Sequence, residues 1–105
     1  MQQFTVYRNR NFRTRGMFPL VVDVQSDVFQ DLHTCVVVPL TRAGPLGPFP
    51  LTYLTPSIAF EEQLYVLMTP QLAGVARADL GAPVGNIAGC ERAILSALEF
   101  LMRGF

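Results

Sequence analysis

"FPLVVDVQSDVF", residues 18–29, decides the fold. Leu20, Val22 and Val24 are apolar at every second position, with Asp23 and Gln25 between them. A period of two marks a strand, with Leu20, Val22 and Val24 facing a core and Asp23 and Gln25 facing out. Asp27 and Asp31 follow in a turn. The same grammar extends in both directions. Upstream, "QFTVY" (residues 3–7) puts Phe4 and Val6 on one face and Thr5 and Tyr7 on the other. Downstream, "CVVVPL" (35–40) is a β-branched apolar run, as expected of a strand buried on both faces. Pro39 has no N–H to give a ladder, which predicts an edge or a bulge there. "SIAF" (57–60) and "LYVLM" (64–68), separated by Glu61, Glu62 and Gln63, read as a hairpin, and "ARADL" (76–80) as a further short strand.

The period changes near the end. Ile87, Cys90, Ile94, Leu98 and Leu101 recur at spacings of three and four, the apolar stripe of one helix, with Arg92, Ser96, Glu99 and Arg103 opposite. Asn86 is placed to cap it, and Glu91 lies where the helix dipole favours an acid. Glu99 precedes Arg103 by four residues, a pair worth roughly 0.3–0.5 kcal/mol when exposed. In "TPQLAG" (69–74), Thr69 as a cap and Pro70 at the first helical position predict one short helical turn. Two stretches read as loops: "RNRNFRTRG" (8–16), with four of the eight arginines, and "AGPLGPFP" (43–50), with three prolines and two glycines. Strands first and one helix last give a single α+β domain, mostly β, over residues 1–105, built on an antiparallel sheet or small barrel.

Composition narrows the function. Hydrophobic residues make up 50% and charged residues 15%, which excludes a disordered chain. Eight basic and eight acidic groups cancel, so no global charge draws the chain to nucleic acid or an anionic membrane. No apolar run approaches the ~20 residues of a membrane span, and "MQQFTVYRNR" is not built like a signal peptide, so a cytoplasmic location is expected. Cys35 and Cys90 read as small buried hydrophobes of a reducing compartment. Catalytic and metal patterns are missing. His33 is the sole histidine and cannot form a zinc site with two scattered cysteines. "GAPVG" (81–85) lacks the lysine and hydroxyl of a phosphate loop. Asp23, Asp27 and Asp31 need not converge, and Ser26 has no histidine partner. The expectation is a binding protein rather than an enzyme, with no metal or cofactor. The arginine loop reads either as a solvated loop or as a docking site for an acidic peptide or a phosphate backbone.

The pieces together resemble the CcdB toxins. "MQQFTVY" is similar to their opening, "VDVQSD" (22–27) to their most recognisable stretch, and "VVVPL" and "LYVLMTPQLAGV" to later strands and a turn, in matching order. The resemblance implies an SH3-like antiparallel barrel with a C-terminal helix, as in the related MazF and Kid toxins. It implies a homodimer, and the toxin half of a type II toxin–antitoxin module of the kind that maintains plasmids. Its partners would be the A subunit of DNA gyrase, trapped on cleaved DNA, and a CcdA-like antitoxin whose disordered segment masks the toxin. By position, gyrase contact falls on Val28, Phe29, Met102, Arg103, Gly104 and Phe105. Arg103 stands where the family has tryptophan, which leaves open a toxin-fold protein with an altered target; an RNA-cleaving enzyme of the MazF and Kid kind is the last alternative. The acidic antitoxin tail is expected to dock on Arg8, Arg10, Arg13 and Arg15. The terminal Phe105 has two readings: a staple folded back on Phe100 beside a Gly104 helix stop, or an apolar finger offered to a partner.

Overall fold

The computed structural model describes residues 2–44 and 53–104. Most of the proline-rich loop and the terminal Phe105 lie outside them. The strands are β1 (Thr5–Arg8), β2 (Leu20–Asp23), β3 (Thr34–Arg42), β4 (Ser57–Phe60), β5 (Gln63–Leu67), β6 (Ala73–Ala76) and β7 (Pro83–Asn86), and one helix follows, α1 (Glu91–Arg103). Every pairing is antiparallel, in the order β4-β5-β3-β2-β1-β7, with β6 beside the first half of β3. The sheet curls into a half-barrel, and α1 covers one face, an α+β fold.

The alternation in 18–29 holds on that face. Leu20, Val22 and Val24 join Phe4, Val6, Val38, Leu40, Ile58 and Leu67 in the main core, to which α1 contributes Ile94 and Ala97. Ile94 is fully buried, and truncating such a side chain to alanine costs about 2–5 kcal/mol. On the other face the expectation is corrected. Tyr7, Val21, Cys35 and Val37 form a second cluster, packed against Val75 and Leu80. Asp23, expected to face out, is buried beside Arg77. The reason is non-local: β6 and the turn after it fold back over this face.

Pro39 is neither at an edge nor at a bulge. On one side of β3, Thr34–Val37 pair with β6 and Leu40–Arg42 with β5, so Pro39 sits where one partner hands over to the other. Its carbonyl accepts from Met68 N–H there, and its missing N–H removes no ladder bond. The hairpin forms as expected, with Phe60 opposite Gln63 and Glu61 and Glu62 both at positive φ in the turn, the geometry that matches strand twist. A one-turn 3-10 helix spans Thr69–Gln71. "ARADL" is corrected: the strand is Ala73–Ala76, and Arg77–Asp79 is a 3-10 turn. Strand β7 escaped the sequence reading, because its PVGN sequence lacks a branched alternating pattern. Asn86 does not cap α1, whose cap position is Cys90, and it lies one residue ahead of Ile87, the cap position of the 3-10 turn before the helix. Its side chain accepts from Ala88 N–H at the entry to the 3-10 turn Ala88–Cys90, from which α1 continues.

The two ends of the strand order, β4 and β7, share no ladder. Their seam is filled by the Phe60 ring, which lies where a side chain on Gly85 would begin, 2.7 Å from an added Cβ.

Candidate functional site

Three exposed features hold the residues singled out in the sequence. The first is a knuckle after β2. Ser26 accepts from Val28 N–H and starts a 3-10 turn over Asp27–Phe29. Val28 is 82% exposed, and Phe29 and Leu32 are each 52% exposed. This knuckle is held by Gln25 nearby and by Gln3 and Arg77, which are distant in sequence. Asp27 Oδ1 accepts from Gln3 N–H at 2.6 Å. Gln25 Nε2 donates to the carbonyls of Phe29 and Thr34, each at 3.2 Å, and Gln25 Oε1 accepts from Val36 N–H at 3.1 Å. Arg77 Nε donates to Leu32 C=O at 2.8 Å. Arg77 also donates its backbone N–H to His33 C=O at 2.8 Å.

The second feature is the end of α1. Met102 is 79% exposed. Arg103 pairs with Glu99 at 3.0 Å, as the spacing of four predicted. Gly104 takes φ +80°, the left-handed stop, and its N–H closes on Phe100 C=O at 2.8 Å. The Phe100 ring meets Tyr53 edge-on at 6.3 Å. Phe105 lies outside the described residues, and with it the choice between staple and finger. The hydrogen bonds of the knuckle run to Gln3, which Asn86 also holds at the start of the helix approach. They do not run to α1.

The third feature is the arginine loop. It closes on itself: Asn9 Nδ2 donates to Thr14 Oγ1 and Phe18 C=O, and Asn11 C=O accepts from the N–H groups of Thr14 and Arg15. A groove of ≈ 740 Å³ runs between this loop and β6, over Val21, Val37 and Pro39. Arg8 and Arg10 line it, together with Phe12 and Asp79, whereas Arg13 and Arg15 do not. Arg13 lies over the Phe12 ring at 6.0 Å instead. Among the described residues, neither Arg8 nor Arg10 has an acidic partner, since the two ion pairs use Arg77 and Arg103.

The buried chemistry lies beneath the knuckle. Burial pushes the Asp23 carboxyl above its ordinary value, against the pull of Gln25 N–H and the Arg77 guanidinium. Burial first, and the charge of Asp23 second, raise Tyr7 and Cys35 as well. A raised, buried Cys35 stays a thiol and is no nucleophile. Asp23 and Asp27 serve different partners, Arg77 and Gln3, and do not converge on a cation. No helix among the described residues is long and apolar enough to cross a membrane. The sequence reading missed Leu32, Gln25 and Arg77. A lone arginine in "AGVARADL" was a signal, but nothing local named its partner. The family model described as "CcdB protein" matches residues 3–104.

Proposed function

The chain belongs to the CcdB family of toxin–antitoxin toxins, and from that premise we propose that it binds the A subunit of DNA gyrase and traps the enzyme on cleaved DNA. The observation that carries this reading is exposure. Val28 and Met102 are the two most exposed large apolar side chains among the described residues, at 82% and 79%. Both occupy positions that the family resemblance gives to gyrase contact. Apolar groups held this far into solvent serve a partner more readily than a core. The protein acts by binding rather than by catalysis, as a homodimer that brings two helix ends together, in the cytoplasm. A CcdA-like antitoxin lays its acidic tail along the arginine loop, where the two arginines lining the groove, Arg8 and Arg10, attract it.

One observation favours the second reading, an altered target. Arg103, in the place of the family's tryptophan, is held by Glu99 at 3.0 Å. A guanidinium so engaged offers a partner less than an indole anchor does.

A gyrase DNA-cleavage assay tests the proposal. The full-length protein accumulates cleaved DNA with the gyrase of its own host, and removal of residues 103–105 abolishes this while fold and antitoxin binding persist. Arg103→Trp strengthens trapping. If the full-length protein traps no cleaved DNA, the altered target stands instead. Neutralising Arg8 and Arg10 slows association with an acidic antitoxin peptide and flattens its salt dependence. An unchanged rate at low salt removes the loop from that site.

A further inference from the structure

The knuckle is apolar and exposed, yet a buried charged pair and one glutamine anchor its backbone. We propose that Arg77 and Gln25 are positioning residues for the knuckle, and that Leu32 belongs with Val28 and Phe29 to the surface they present. The identity of the partner rests on the gyrase reading; the positioning does not.

Arg77 holds two successive carbonyls of the knuckle's second limb, Leu32 through Nε and His33 through its backbone N–H. Its side chain is 16% exposed, too little for it to act as a contact. Its guanidinium is anchored by charge: an NH group lies 3.6 Å from Asp23 Oδ2 and has no hydrogen bond of its own. The other oxygen of Asp23 accepts from Gln25 N–H at 2.9 Å. Gln25 in turn spends both ends of its amide on Phe29, Thr34 and Val36. One chain of contacts thus runs from β6 through Arg77, Asp23 and Gln25 to Phe29. For stability alone a buried ion pair is a poor choice, because apolar residues of similar volume serve as well or better. What the pair supplies is direction: a guanidinium Nε–H that fixes the Leu32 carbonyl and a carboxylate that fixes a glutamine. A surface ordered before it binds loses less freedom on binding.

The test separates position from stability. In Arg77→Met combined with Asp23→Asn, both charges are removed, the Met stem fills the space, and the amide oxygen introduced at position 23 still accepts from Gln25 N–H. The double variant keeps its fold and its thermal midpoint near wild type. Amide exchange at Phe29 and Leu32 accelerates by about tenfold relative to Val22 and Val38, and affinity for gyrase A falls by about tenfold, while antitoxin association is unchanged. Gln25→Ala lowers stability but gives the same faster exchange at the knuckle relative to Val22 and Val38 and the same loss of gyrase affinity, without touching the ion pair, and it decides the matter if the double variant fails to fold. Unchanged exchange at the knuckle in a folded variant overturns the proposal, as does faster exchange with unaltered gyrase affinity. A wild-type protein that ignores gyrase overturns the target reading, and amide exchange then decides the positioning alone. Leu32→Ser lowers affinity without altering exchange; unchanged affinity removes Leu32 from the surface.

Discussion

The arginine loop and the apolar knuckle are both exposed, and they are held in opposite ways. The loop is written locally. Asn9, Asn11 and Thr14 satisfy one another and the backbone between residues 9 and 18. The knuckle adds bonds from a distance to the local ones of Ser26 and Gln25: Gln3 lies 24 residues away from Asp27, and Arg77 lies 45 residues away from Leu32. Local bonding gives a loop whose shape depends mainly on its own residues. Distant bonding gives a surface whose shape reports on the whole fold. The first suits a charged landing site, where electrostatic attraction needs little geometry. The second suits an apolar contact, where shape decides.

Arg77→Met alone breaks the contrast hardest. It strands a buried Asp23 carboxylate and should cost about 3–5 kcal/mol in chemical denaturation. A loss below about 1 kcal/mol would mean that water already reaches the pair. Next comes Gln25→Ala, which removes three hydrogen bonds, one of them from Val36 N–H; a loss of about 2 kcal/mol is expected, again by denaturation. Asn9→Ala is milder, about 1 kcal/mol, with amide exchange raised only between residues 9 and 18. Any change at Phe29 in that variant would show the two features to be coupled after all. The smallest effect is a matter of sign. Asp23 takes up a proton more readily folded than unfolded, because burial raises its carboxyl. Its contribution to stability therefore grows as pH falls through the range between the ordinary and the raised value, and is lost as pH rises through it. A carbon-13 titration of Asp23 with its midpoint below the ordinary carboxylate value would reverse that sign.

The same contrast explains what could be read from the sequence. The alternation of Leu20, Val22 and Val24, the hairpin at Glu61–Glu62 and the three-and-four stripe of α1 depend on neighbours in the chain, and each was legible. The Gly104 stop was legible for the same reason, since a glycine after an apolar stripe is a local signal. Asp23 was misread because a polar residue in a strand pattern means solvent unless another segment returns to cover it. Here β6 and Arg77 return, some fifty residues later. Pro39 was misread because a strand whose partner changes midway looks, in sequence, like any other. Of the candidate site, Val28, Phe29 and Met102 are exposed, while the partners of Arg77 beneath the knuckle have no local signature.

The seam between β4 and β7 carries a consequence for how such a chain can vary over time. Phe60 occupies the volume in which any side chain on Gly85 would have to start. The two positions are therefore read together, and the order of change matters. An alanine at 85 arriving first forces the ring out of its place in the seam, so it is selected against. The same alanine arriving after Phe60 has given way to a smaller residue fills the vacated space. A side chain at 85 is tolerated only by reference to what stands at 60, and relatives of this protein that carry one at 85 should carry a smaller residue at 60.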